Sequence, residues 1–338
     1  MPNRDDKVIA FALGGLGGSN AHGAGFLSAA QKMGVAPSIV SCTSGMIYWV
    51  SRYLQHADLE QELRAQTMQN LFPPAYNYLN WGSAMVRGVA GVCRTAVPEY
   101  WARWMKPWNP LLANEWLDRM VPAQWLIPTR SPGWFADTAR IFNETRDVGV
   151  IFNVFEPGVG REYLHGNDAA MRFMKKEYEE VDEGGVVYKR ITPDAVENAL
   201  WLYLYGFATN KKVDGAYHRQ IIMRELHRAN VIFAVRPQNQ LWVGDLPSNM
   251  VDMRDFEIEL WFNSSYAGEV AEIGLVNKLI EQKLLAPAVD GPKKKYDHPI
   301  ELISIDIGRN RGFFDYFVED VATYQEAYAA AVSAFQKL

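Results

Sequence analysis

Short apolar runs, each closed by glycine or proline, recur along the chain and set its rhythm. Residues 7–13 (KVIAFAL) form one such run ended by glycines, which predicts a buried parallel strand. From His22 to Met33 the apolar positions Phe26, Leu27, Ala30 and Met33 fall at helical spacing, and Gly34 and Pro37 stop the pattern. SIVSC (38–42) predicts a second strand and the segment from Gly45 to Leu54 a second helix. Strand, glycine loop, helix, strand, tight turn and helix in that order predict an α/β fold, a doubly wound and mostly parallel sheet flanked by helices.

Strand-like runs resume at 148–154 (VGVIFNV), 185–191 (GVVYKRI), 230–237 (NVIFAVRP) and 301–307 (ELISIDI). Between them the pattern predicts a helix over 193–205 with Asp194 near its start, an amphipathic stretch over 250–283 and a closing helix over 318–336. Residues from about 70 to 135 differ in composition, with Trp81, Trp101, Trp104, Trp108, Trp116, Trp125 and Trp134 among many prolines. They read as an irregular helical insertion, either a greasy lid or an aromatic cap on the sheet. With no repeat or low-complexity tract, the expectation is one domain spanning 1–338, carrying this insertion and a C-terminal helical extension at about 250–338.

The chain has 338 residues, 49% hydrophobic and 22% charged, enough apolar material for a large core. A formal net charge of -5 without a basic stripe disfavours nucleic acid as a partner. The Lys293–Lys295 run reads as a solvated loop or a contact for anionic headgroups. Cys42 and Cys93, the only cysteines, are too few for a disulfide scaffold and lie in no metal-ligand spacing. No cofactor is expected. The N-terminus lacks a basic stretch followed by a long apolar one, and no run of about 18 apolar residues occurs. A cytoplasmic protein is the expectation, with peripheral contact to a membrane surface left open and oligomeric state undetermined.

The candidate chemistry lies in the two turns that follow the first two strands. Gly14-Gly15-Leu16-Gly17-Gly18 precedes a helix, where unpartnered backbone N–H groups attract negative charge. The loop lacks the third glycine of a dinucleotide fingerprint and the Lys-Ser/Thr of a phosphate loop. Ser44, in SCTSGM, stands between strand and helix, where a serine oxygen is lifted above the sheet edge. Helix capping is the plain alternative for Ser44. Neighbouring parallel strands would carry both loops to the same carboxyl end, and that favours chemistry.

Taken together, the glycine loop, the helix ending in Met33-Gly34-Val35-Ala36-Pro37, the strand and Thr43-Ser44 resemble the opening of patatin-like phospholipases. That family's pattern is Gly-Gly-Gly-x-Arg/Lys-Gly followed by Gly-x-Ser-x-Gly, with a later Asp-Gly-Gly or Asp-Gly-Ala; here Asp214-Gly215-Ala216 stands in order. Ile191-Thr192-Pro193-Asp194-Ala195-Val196 and the stretch from Phe256 to Leu285, followed by HPIELISI, are similar to family segments too. Cys42 and Met46 stand where the nucleophile motif has glycines, and Ser19-Asn20 where the loop has a basic residue and glycine.

The resemblance implies a serine acyl-ester hydrolase acting on lipid or another acyl ester. Ser44 would be the nucleophile, Asp214 its proton acceptor, and the N–H groups of Gly15, Leu16, Gly17 and Gly18 the oxyanion hole. An Asp near 3.9 is a poor base, so such a dyad needs burial that raises its proton affinity. His22 and His218 read as supporting residues, and Cys42 as a buried thiol. Two alternatives stay open: a Ser-His-Asp hydrolase using His298, which follows Asp297, and a degenerate fold that binds lipid or protein without turnover.

Overall fold

The computed structural model describes residues 7–17, 20–69, 105, 107, 109–112, 116, 130–182, 184–207, 209–239, 241–243, 245–285, 298–307 and 320–338. Most of the predicted insertion at 70–135, the lysine run at 293–295 and Gly18 lie outside them.

The molecule is a mixed α/β structure built on a mostly parallel central sheet. Its first four elements are β1 (Ile9–Leu13), α1 (Ala21–Met33), β2 (Ile39–Cys42) and α2 (Met46–Leu54), the order and near-bounds that the apolar pattern predicts. They are followed by α3 (Leu59–Gln69), α4 (Pro132–Glu144), β3 (Gly149–Glu156), β4 (Arg161–Gly166) and α5 (Asp168–Met174). Next come β5 (Val187–Arg190), α6 (Pro193–Ala199), the two-residue β6 (Val213–Asp214) and β7 (Val231–Arg236). The long α7 (Met250–Glu281), β8 (Glu301–Asp306) and α8 (Val321–Phe335) complete the order.

The sheet runs β5-β4-β3-β2-β1-β7-β8, and β6 pairs with β3 off this path. β3, β2, β1, β7 and β8 are mutually parallel, whereas β4 returns antiparallel to β3. Strand alternation divides the core between the two faces. Phe11, Leu13 and Phe233 point to the face covered by α1 and α8, where Phe11 and Phe26 meet edge-on at 4.8 Å and Phe233 and Phe335 at 4.9 Å. Ala10, Ala12, Ile232 and Ala234 point the other way, toward Ile221 to Leu226 and to Tyr266 and Ile273 of α7.

The C-terminal part departs from the expectation of an extension. β8 pairs with β7 along its whole length, and Tyr324 and Phe335 of α8 join the core of the Phe11 face, so β8 and α8 belong to the central layers. The predicted helix at 193–205 stops at Ala199, because the Trp201 carbonyl is bonded instead to the Asp214 N–H at 2.9 Å. No helix among the described residues is long and apolar enough to cross a membrane.

Candidate active site

Leu13 and Cys42 are register partners, so the glycine loop and the serine turn leave the sheet side by side at its carboxyl edge. Ser44 adopts φ 52, the left-handed region, which for a residue with a Cβ costs on the order of 1 kcal/mol and persists only where its surroundings enforce it. The enforcement is local hydrogen bonding. The Gly15 N–H donates to Thr43 Oγ1 at 2.9 Å, and that hydroxyl donates to the Gln220 carbonyl at 2.6 Å. Met46 N–H to Thr43 O and Ile47 N–H to Ser44 O, both 3.1 Å, start α2 at once. Ser44 thus sits on a sharp strand-to-helix turn at a helix N-terminus, a position that favours an anion beside its oxygen.

Two glycines permit the close approach of loop and turn. A Cβ on Gly15 would overlap the Thr43 carbonyl oxygen, and one on Gly45 would overlap Gly17 O and the Asn20 side chain. Gly15→Ala is therefore expected to destabilise the fold by about 3 kcal/mol, the upper end for overpacking, because backbone cannot rotate aside. Urea denaturation measures this, and a loss below about 1 kcal/mol would mean that loop and turn are not packed this closely.

Asp214 arrives through strand register. In the parallel β2–β3 pair Cys42 faces Phe152, so a continued β2 would set residue 44 opposite Val154. β2 ends, and antiparallel β6 takes the vacated place with Asp214 itself opposite Val154. β4 covers the other edge of β3, which leaves β6 only the β2 side. The carboxylate consequently stands where the serine turn lifts off the sheet.

Asp214 is 1% exposed and its carboxyl accepts the Ala216 N–H at 2.9 Å. Burial pushes the carboxyl from 3.8 up to about 7, and the Ser44 side chain and the Ala216 N–H restrain the rise. Burial also raises the Tyr205 and Tyr217 phenols, to which the neighbouring Asp214 charge adds.

Two of the four amides expected to form the oxyanion hole already have side-chain acceptors. The Gly15 N–H is taken by Thr43 Oγ1, and the Leu16 N–H by Asn20 Oδ1 at 2.9 Å. The Leu16 side chain is buried against Phe262 of α7, which accounts for a leucine among the glycines. Asn20 closes the loop by donating from Nδ2 to Gly17 O at 2.8 Å. No acceptor for the Gly17 or Gly45 N–H occurs among the described residues.

The substituted motif positions find structural reasons. Cys42 is fully buried on the Phe11 face of the sheet, and desolvation drives its thiol well above its ordinary value, which suits packing rather than nucleophilic chemistry. The Met46 side chain occupies the space that a Cβ on Gly23 would need, so α1 makes room for it. His22 Nε2 meets the Gly14 carbonyl at 2.8 Å, and exposed His218 stacks on Phe155 with rings 4.4 Å and 3° apart. His298 is not brought to Ser44. It precedes β8 at the amino edge of the sheet and meets the Ala229 carbonyl at 3.0 Å, a strand length away from the serine turn.

Thr43, Asn20 and Gly45 were named from sequence for their motif positions but not for these contacts, and Gln220, which accepts from Thr43 Oγ1, carried no local signal. A scan of the chain against protein-family models gives no match, and a search of curated proteins gives none either.

Proposed function

We propose that the chain is a serine acyl-ester hydrolase of the patatin-like phospholipase type, with Ser44 as nucleophile and Asp214 as general base. The observation that carries this reading is the convergence of a serine on a left-handed strand-to-helix turn with a buried carboxyl that burial raises to about 7 and the Ser44 side chain draws back down. A base poised near neutrality is what proton removal from a serine hydroxyl requires.

In the proposed cycle Ser44 Oγ attacks the ester carbonyl carbon as its proton passes to the Asp214 carboxylate. The tetrahedral species collapses, the alcohol leaves with that proton, and an acyl-Ser44 remains. Water then attacks the acyl carbonyl, Asp214 accepting its proton, and the acid departs as Ser44 recovers the hydrogen. The Gly17 and Gly45 N–H groups are the proposed oxyanion donors among the described residues. They replace Gly15 and Leu16 in that role, and each would supply about 3 kcal/mol.

A fluorophosphonate probe tests the assignment directly. The expected result is a single adduct on Ser44, found by peptide mass mapping, together with hydrolysis of members of a panel of acyl esters. Absence of both adduct and turnover would sink the proposal and favour a fold that binds acyl chains without cleaving them.

A further inference from the structure

The turn that carries Asp214 is held from beneath by a buried polar cluster that the proposed chemistry leaves unused. Asn153, on β3 next to the Val154 that faces Asp214, spreads its Nδ2 hydrogens over three acceptors. These are Gly215 O at 3.2 Å, Arg219 O at 3.0 Å and Glu162 Oε1 at 2.9 Å. One amide thus holds both ends of residues 215–219. Gly215 lies so close that a Cβ there would overlap the Asn153 side chain.

Behind Asn153, Arg219 donates from Nε to Glu162 Oε1 at 3.1 Å and from Nη1 to Glu269 Oε1 at 3.0 Å. It also grips both oxygens of Glu225, at 2.9 and 3.0 Å. Glu269 in turn accepts the N–H groups of Met223 and Arg224 at 2.9 and 2.7 Å. The five side chains come from β3, β4, the Asp214 segment and α7, and each is at most 7% exposed. Asn153 Oδ1 has no hydrogen-bond partner among the described residues. An apolar side chain would avoid that unmet acceptor, so the contribution of Asn153 lies in what Nδ2 holds.

We propose that Asn153, backed by Arg219 and Glu162, is the positioning residue for Asp214, fixing the 214–219 turn so that the carboxyl stays buried against Ser44. The proposal rests on the Ser44–Asp214 reading of the site. Asn153 acts through the turn and touches no reacting atom.

Asn153→Leu keeps the side chain's heavy-atom branching and removes the clamp. In the full chain, kcat on a p-nitrophenyl ester is expected to fall about 10- to 100-fold, the scale of a misplacement near 1 Å, with KM within about threefold. The Asp214 carboxyl, followed by 13C NMR titration, is expected to move from about 7 down toward the ordinary carboxylate range as water reaches it. If Asn153→Leu does not fold, Arg219→Lys, which keeps the charge and loses the fork, is expected to shift both readouts in the same directions.

A folded variant with kcat within about twofold of the parent and Asp214 still titrating near 7 overturns the proposal, whatever happens to its urea midpoint. Should the parent protein hydrolyse no ester, the catalytic reading fails by itself. The NMR titration then still decides whether Asn153 sets the Asp214 environment: a downward shift supports the clamp, and an unmoved midpoint overturns it.

Discussion

Ser44→Ala is expected to lower ester turnover by about 10⁴-fold or more and to abolish fluorophosphonate labelling. Without the hydroxyl only substrate binding and the oxyanion donors remain, and neither forms an acyl intermediate. Two companion measurements separate lost chemistry from lost structure. Alanine retains a Cβ at φ 52, so stability should stay near that of the parent, whereas Ser44→Gly should gain about 1 kcal/mol by relaxing the left-handed residue. The Ser44 side chain also draws the Asp214 carboxyl down, so its removal should carry that titration above 7. Turnover in Ser44→Ala above about a tenth of the parent value would remove Ser44 from the nucleophile role.

The parallel centre of the fold was legible because its strands are short apolar runs buried on both faces. IAFAL, IVSC and VIFAVR are fully buried from end to end. β4 (REYLHG) was not legible, because Glu162 reads as a surface residue until Asn153 and Arg219 are there to meet it. α3, with Glu60, Glu62 and Arg64 among few apolar positions, gives too weak a periodic signal, and α5 spans only seven residues. The end of α6 is a tertiary effect, set by the Asp214 segment that claims the Trp201 carbonyl.

At the candidate site, motif order singled out Ser44 and Asp214 because each sits in a turn marked by its local residue types. The supporting groups escaped for a geometric reason. Thr43 meets Gln220 across 177 residues of sequence, and Asn153 meets Arg219 across 66, so no window along the chain contains both partners. The glycine loop shows the converse limit. Sequence located its amides but could not tell that Thr43 and Asn20 side chains occupy two of them.

Asp214 carries the second large expectation, which joins activity to stability through one proton. In the proposed mechanism the carboxylate is the active form, so kcat/KM should fall about tenfold per pH unit below a limb near 7, and Asp214→Asn should erase the limb while lowering turnover about 10²- to 10⁴-fold. Stability should run the opposite way. A carboxyl whose folded value exceeds its unfolded one binds its proton more tightly in the native state, so its contribution is fully present below 3.8 and is lost as pH rises through about 7. The rise from 3.8 to about 7 corresponds to about 4 kcal/mol of strain against ionising a fully buried group. The carboxamide that replaces it in Asp214→Asn would carry no such charge, and its oxygen would still accept the Ala216 N–H. Asp214→Asn should therefore be catalytically crippled yet several kcal/mol more stable than the parent at pH 8, with the difference vanishing near pH 4 in urea denaturation. An activity limb near 4, with a stability difference that does not change with pH, would place Asp214 in an ordinary solvated setting and end its candidacy as the base.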